Sequence, residues 1–330
     1  MDPEPTPLSI KSYPARLVDK IPLPYWMSLL ILWEIIFLAD YIYSFNIPGG
    51  HHHIAAFGTI SLFFASICIN VVYCSKVLVN LYPDLALFID HDQHELRSWY
   101  EQKLKWCYQG VWPLLAGILF ALLEDFTIGD LARSFTPDDS ILQNLRSGYR
   151  IVGFFFVGMS LWALINVLII PMQLIQFRVR IRLNQLSGRG LQALGASFFK
   201  MSIAITSSFV LIIMTTILAG QGNNFTVLLW EGLGAILIFC FFLLPQIGIH
   251  RIMSNEKEQR ILSFSHHLEQ ALEKSLDDPS SENMQRLKEL FELQEHLKNM
   301  NEWPFNINTL WQLITALLIP LLLALLEIVF

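Results

Sequence analysis

A chain of 330 residues that is 54% hydrophobic and only 15% charged is not an ordinary soluble domain, in which about a quarter of residues are charged. Its mean hydropathy is +0.47. The formal net charge is −6, from 22 Lys and Arg against 28 Asp and Glu, and this acidic balance excludes a nucleic-acid partner.

Residues 1–23 are polar and proline-containing, without the basic, apolar and small-residue succession of a cleaved leader, so the first apolar span serves as an uncleaved signal. Seven apolar segments follow, approximately Pro24–Phe45, Ile54–Leu81, Val111–Leu123, Val152–Met172, Phe198–Ala219, Phe225–Ile249 and Phe305–Phe330. The third is short enough to be re-entrant, and Pro83 is expected to end the second. With the N-terminus inside, every Lys and Arg except Arg133, Arg146 and Arg150 falls on the inner side, which predicts seven crossings and an outer C-terminus.

The expected architecture is therefore all-α and polytopic, with seven transmembrane helices on a cytoplasmic helical base. It divides into a cytoplasmic N-terminal segment (1–23), a six-helix transmembrane bundle with protruding cytoplasmic ends (24–252), a cytoplasmic helical hairpin (253–302) and a final transmembrane helix (303–330). Before the third span, Leu96, Trp99, Tyr100, Leu104 and Cys107 recur at helical spacing and predict an interfacial helix. Glu124–Gly148 reads as the long outer loop, and Asp277-Asp278-Pro279-Ser280-Ser281 as the break of the hairpin, with Ser280 or Ser281 as N-cap. The Cys residues at 68, 74, 107 and 240 have neither disulfide-framework nor zinc spacing.

Ionisable groups inside spans are costly and mark function or pairing. Glu34 lies midway along the first span, while Asp40, Glu124, Asp125, Glu231 and Glu327 map to the outer half. One reading is an outer acidic vestibule that concentrates cations; the other pairs some of these acids with Arg146 and Arg150. In the final span, Asn308, Gln312, Thr315 and Ile319 follow one stripe, and Glu327 lies about 60° from Gln312, which makes this helix a candidate pore lining.

His91, Asp92, His94 and Glu95 have spacings compatible with a transition-metal site, although a solvated charged turn is the commoner explanation of such a run. His51, His52 and His53 fall on the opposite side of the membrane, which argues against a histidine-rich di-iron centre. Arg178, Arg180 and Arg182 close the fourth span and suit lipid headgroups or another anion. GxSxG, HExxH and Walker A patterns are absent, so neither an enzyme nor a cofactor is expected.

The amphipathic run RLKELFELQEHLKNMNEWPF entering a proline-containing last span resembles the C-terminal part of uncharacterised prokaryotic multi-pass proteins, which implies a prokaryotic plasma membrane. In topology alone the chain resembles the seven-transmembrane insect odorant and gustatory receptor channels. That resemblance implies a homotetramer with a pore-lining last helix and a cytoplasmic anchor. The TYxxxxxQF-like signature of those channels is missing, Thr309-Leu310-Trp311-Gln312 standing in its region. The expected function is a homo-oligomeric, cation-conducting channel with membrane lipids as partners. The alternative is a membrane-anchored sensor that recruits a partner through the 253–302 hairpin, with an intramembrane enzyme or transporter ranked below both.

Overall fold

The computed structural model describes residues 8, 10–45, 54–88, 93–133, 140–174, 189–220, 225–277, 280–299, 311 and 315. The regular elements among them are α1 (Tyr13–Val18), α2 (Tyr25–Phe45), α3 (Ile54–Phe88), α4 (Gln93–Tyr108), α5 (Val111–Arg133), α6 (Ser140–Leu174), α7 (Arg189–Leu218), α8 (Phe225–Asp277) and α9 (Ser281–Lys298). Six helical stretches, in α2, α3, α4–α5, α6, α7 and α8, are long and apolar enough to cross a membrane. Among the described residues all regular structure is helical, and the protein is a multi-pass membrane protein.

Several of the spanning helices turn an apolar stripe outward. Ile31, Ile35, Leu38 and Ile42 of α2 are exposed at steps of three and four residues, as are Leu115, Ile118 and Leu122 of α5. Leu229, Leu233 and Ile236 do the same on α8. Stripes of this size are liabilities in water, and acyl chains satisfy them at no cost. The inward faces bury Leu29, Trp33, Phe64 and Tyr149 in one cluster, and Leu78, Tyr100, Phe198 and Phe241 in another.

With apolar solvent on the outside, hydrophobic burial cannot select helix partners, so polar rungs and close backbone approach do so. α3 and α7 run antiparallel and are cross-linked at three levels. Thr215 donates to Thr59 (3.0 Å), Ser66 donates to Ser208 (2.8 Å), and Asn70 Nδ2 donates to the Ala204 carbonyl (2.6 Å). Positions 59, 66 and 70 step by seven and four, and 215, 208 and 204 step back by the same amounts, the spacing of a packed antiparallel seam.

α5 and α6 meet through glycine instead. A Cβ placed on Gly158 would sit 2.5 Å from Phe120 Cβ and 2.6 Å from the Ala116 carbonyl oxygen. Gly117 returns the contact, since its Cβ would sit 2.8 Å from the Phe155 carbonyl oxygen.

Three expectations differ from the structure. The expected outer loop, Glu124–Gly148, is helical over residues 124–133 and 140–148. α5 is a continuous helix of 23 residues, about 34 Å long and sufficient to cross, because it runs on through Glu124 and Asp125. Those acids read as the end of a span, yet their charges are met by an arginine of α6. α3 likewise passes through Pro83 to Phe88. Proline removes one helix hydrogen bond, and the turns around it are held by burial of Leu81, Tyr82, Leu85 and Ala86.

α4 buries Leu96, Tyr100, Leu104 and Cys107 and turns Arg97, Glu101 and Lys105 outward, where Arg97 and Lys105 pair with Glu101 at 3.2 and 3.7 Å. The buried Tyr100 hydroxyl donates to the Leu78 carbonyl (2.7 Å), fixing α4 to α3. Gly110, with φ +88°, makes the left-handed turn into α5, and Tyr13 donates to its carbonyl at 2.9 Å. Trp106, Trp112 and Trp162 cluster here, the last two stacked at 6.0 Å, in the manner of an interfacial aromatic belt.

α8 is a single helix of 53 residues with Pro245 inside it. It leaves the bundle and pairs with α9, whose N-cap Ser280 accepts a hydrogen bond from the Asn283 backbone N–H. Lys257 Nζ donates to the Lys298 carbonyl (2.6 Å), placing a cation on the C-terminal end of α9 and closing the base of the hairpin.

Candidate functional site

The buried ion pairs among the described residues gather at one end of the bundle, and α6 organises them. Arg146 and Arg150 are separated by one helical turn and so share a face. Arg146 makes a bidentate pair with Asp40 of α2, Nε to Oδ1 at 2.9 Å and Nη2 to Oδ2 at 3.0 Å. Its guanidinium also lies 5.2 Å from the Phe57 ring centroid of α3. Arg150 reaches the other way, donating to Glu124 (3.0 Å) and Asp125 (2.6 Å) of α5.

Asp40 is 1% exposed and Glu124 2%. Removing such charges from water costs several kcal/mol each, roughly, and only close, well-oriented pairing offsets that. Two arginines on one helix thereby tie α2 and α5 to α6. Glu231 of α8 is also buried and accepts a 2.5 Å hydrogen bond from Thr216 of α7. One turn and a half deeper than Asp40, Glu34 accepts from Ser61 (3.2 Å), which in turn accepts from Tyr149 (2.7 Å).

Beneath this charged end lies a partly open cavity of about 630 Å³, lined by α3, α5, α6, α7 and α8 with Tyr108 of α4. This lies within the range of small-molecule sites, about 300–1,000 Å³. Its walls are mainly aliphatic and aromatic, Phe64, Phe209, Trp230 and Phe241 among them; its charged groups are Glu124, Arg146, Arg150 and Glu231, and Asn70, Ser160 and Ser208 add neutral polar groups along the wall. On α3 the lining runs from Ala56 to Cys74, about 27 Å of helix axis. Phe120 of α5 and Trp230 of α8 close one side edge to face, with centroids 5.5 Å apart.

One atom at this junction is unsatisfied. Glu124 Oε1 accepts from Arg150, but Glu124 Oε2 is buried with no hydrogen-bond partner. A buried acceptor left this way costs about 1–3 kcal/mol.

Of the residues singled out in the sequence, Asp40, Glu124, Asp125 and Glu231 come together at this end, and the first three do so through Arg146 and Arg150. Thr315 caps back onto the Trp311 carbonyl at 2.8 Å. The other pore candidates, Asn308, Gln312, Ile319 and Glu327, lie outside the described residues, as do Arg178, Arg180, Arg182, His91 and Asp92. His94 and Glu95 are exposed on the first turn of α4, and no group of three potential metal ligands occurs among the described residues.

Sequence reasoning missed Thr216, Trp230 and the Ser61–Tyr149 link. Arg146 and Arg150 at a four-residue spacing were the available signal, because they place two cations on one face beside a span. Comparison with protein-family models, with curated proteins and with solved structures finds no match.

Proposed function

We propose that this chain is a ligand-responsive membrane protein whose bundle cavity takes a small, largely apolar molecule. The observation that carries this reading is the 630 Å³ cavity itself, apolar along its length and charged at one end. Apolar walls with a few convergent polar groups are the usual form of a small-molecule site. Trp230 and Glu231 of its wall belong to α8, the helix that continues unbroken into the cytoplasmic hairpin, so occupancy has a covalent route out of the bundle.

The test uses the full chain in lipid nanodiscs and tetradecane carrying a mid-chain diazirine. Saturable labelling of α3 and α7 wall peptides, displaced by unlabelled tetradecane, is the expected result. Labelling that rises linearly with probe concentration, as in bulk lipid, or that spares the wall, overturns the reading.

For the output we propose cation conduction by a homo-oligomer, a tetramer by the topological resemblance above. In this reading residues 303–330 form a seventh span at the axis, the N-terminus is inside and the C-terminus outside. The skew of basic residues supports the orientation. Assembly through the hairpin is supported by Leu262, Leu276, Met284 and Phe291, large apolar residues exposed on α8 and α9 beyond the membrane. The same surface serves the alternative of partner recruitment.

Purified protein is expected to run as an oligomer and to give single-channel currents whose conductance falls in Gln312→Leu and Glu327→Ala. A monomer, or currents indifferent to both substitutions, sinks the channel reading and leaves recruitment.

A further inference from the structure

We infer that the cavity's occupant is an acyl chain of a bilayer lipid, which enters sideways through a window between α8 and the α5–α6 pair while its headgroup stays in the membrane. The inference rests on the cavity reading above and names the class and source of the ligand.

Three observations carry it. The first is which part of the wall is exposed. Of the described residues that line the cavity, only Leu233 and Ile236 of α8 are exposed, at 47% and 60%. Both also belong to the outward stripe that includes Leu229, so the cavity and the lipid-facing surface meet at these two side chains. Counted from Leu228, where the apolar stretch of α8 begins, they lie about 8 and 12 Å along the helix. That depth falls within one leaflet, whose hydrocarbon is about 15 Å thick.

The second is that both ends are shut. At the charged end Arg146, Asp40, Arg150 and Glu124 are all buried and joined as ion pairs across α2, α5 and α6. A ligand arriving from water there must part charges that are already out of water, which is costly. At the other end α8 closes on α6, where a Cβ on Gly248 would lie 3.6 Å from Pro171. The Phe120–Trp230 pair bars the window at its charged end.

The third is the fit of the wall to a chain. The lining extends about 27 Å along α3, close to the roughly 30 Å of a bilayer's hydrocarbon core. Its neutral polar groups make no demand on an apolar occupant. Asn70 donates to the Ala204 carbonyl and to Ser208 (2.7 Å), and Ser160 donates to the Val157 carbonyl (2.7 Å).

The experiment places the full chain in phosphatidylcholine nanodiscs doped with phosphatidylcholine whose acyl chain carries a mid-chain diazirine, beside the free diazirine-tetradecane described above. The lipid probe is expected to label residues 63–71 of α3 and to be displaced from them by unlabelled tetradecane. Leu233→Trp and Ile236→Trp put a bulkier side chain in the window at lipid-exposed positions. Each should lower labelling by the lipid probe about 5- to 100-fold, the range set by overpacking, because a tethered chain must lie across the window when bound. Labelling by free tetradecane, which lies wholly inside, should be unchanged and so reports an intact cavity. Leu229→Trp, on the same stripe but off the cavity wall, should change neither.

A lipid probe that leaves the wall unlabelled while free tetradecane labels it overturns the acyl-chain assignment, and the cavity reading stands. Wall labelling by the lipid that is indifferent to both window variants, or equally sensitive to Leu229→Trp, overturns it too. Absence of saturable labelling by free tetradecane removes the cavity reading itself.

Discussion

Arg146→Met is expected to cost about 3–5 kcal/mol, the loss incurred when one partner of a buried ion pair is removed. Asp40 sits at 1% exposure, with both carboxylate oxygens held by this guanidinium at 2.9 and 3.0 Å. Methionine fills much of the same volume, so the effect reports charge more than packing. The measurement is the fraction of detergent-solubilised protein remaining monodisperse after heating, compared with wild type.

Asp40→Leu combined with Arg146→Met removes both charges and should recover most of the loss, because buried pairs replaced by apolar groups are often neutral or stabilising. If the single variant is as heat-resistant as wild type, the pair does not hold α2 to α6. If the double variant is as poor as the single, shape rather than charge is the cause.

Gly158→Ala and Gly148→Ala make the second test, the same substitution on the same helix with opposite expected signs. At Gly158 the added methyl meets the Ala116 carbonyl oxygen at 2.6 Å and Phe120 Cβ at 2.5 Å, and the backbone atom cannot step aside without moving α5. Overpacking of this kind costs about 1–3 kcal/mol. At Gly148 a Cβ meets nothing within 4 Å, so alanine should stabilise α6 by about 0.5–1 kcal/mol through the restriction of the unfolded backbone alone.

Gly158→Ala has a further consequence. α5 carries Glu124 and Asp125, so pushing it from α6 lengthens both contacts to Arg150. Equal heat resistance of the two variants would show that α5 and α6 are not in backbone contact.

The apolar spans were legible in the sequence because membrane solvation is a property of composition and length. The α4 face of Leu96, Tyr100, Leu104 and Cys107 was legible too, since period alone exposes it. The extension of α5 was not. Glu124 and Asp125 end a span on any local criterion, and the group that offsets them, Arg150, lies 25 or 26 residues further along the chain.

The same limit applied to the candidate site. Acids near a membrane edge admit either a hydrated vestibule or ion pairs, and the choice depends on which way α6 turns its arginines. For Asp40, Glu124 and Asp125 the structure places guanidinium groups within 3.0 Å. The cavity had no signal at all in sequence, because it exists only where inward faces of six helices fail to fill the space between them. Phe64, Phe209 and Trp230 read as ordinary apolar residues of their spans.

The unbroken run of α8 makes it a mechanical element. From Met253, where its burial in the bundle ends, to Asp277 it extends about 36 Å. A tilt of about 5° at that base would carry the far end through roughly 3 Å, more than half a helical turn. A small tilt of α8 inside the bundle would thus be magnified at the hairpin by length alone.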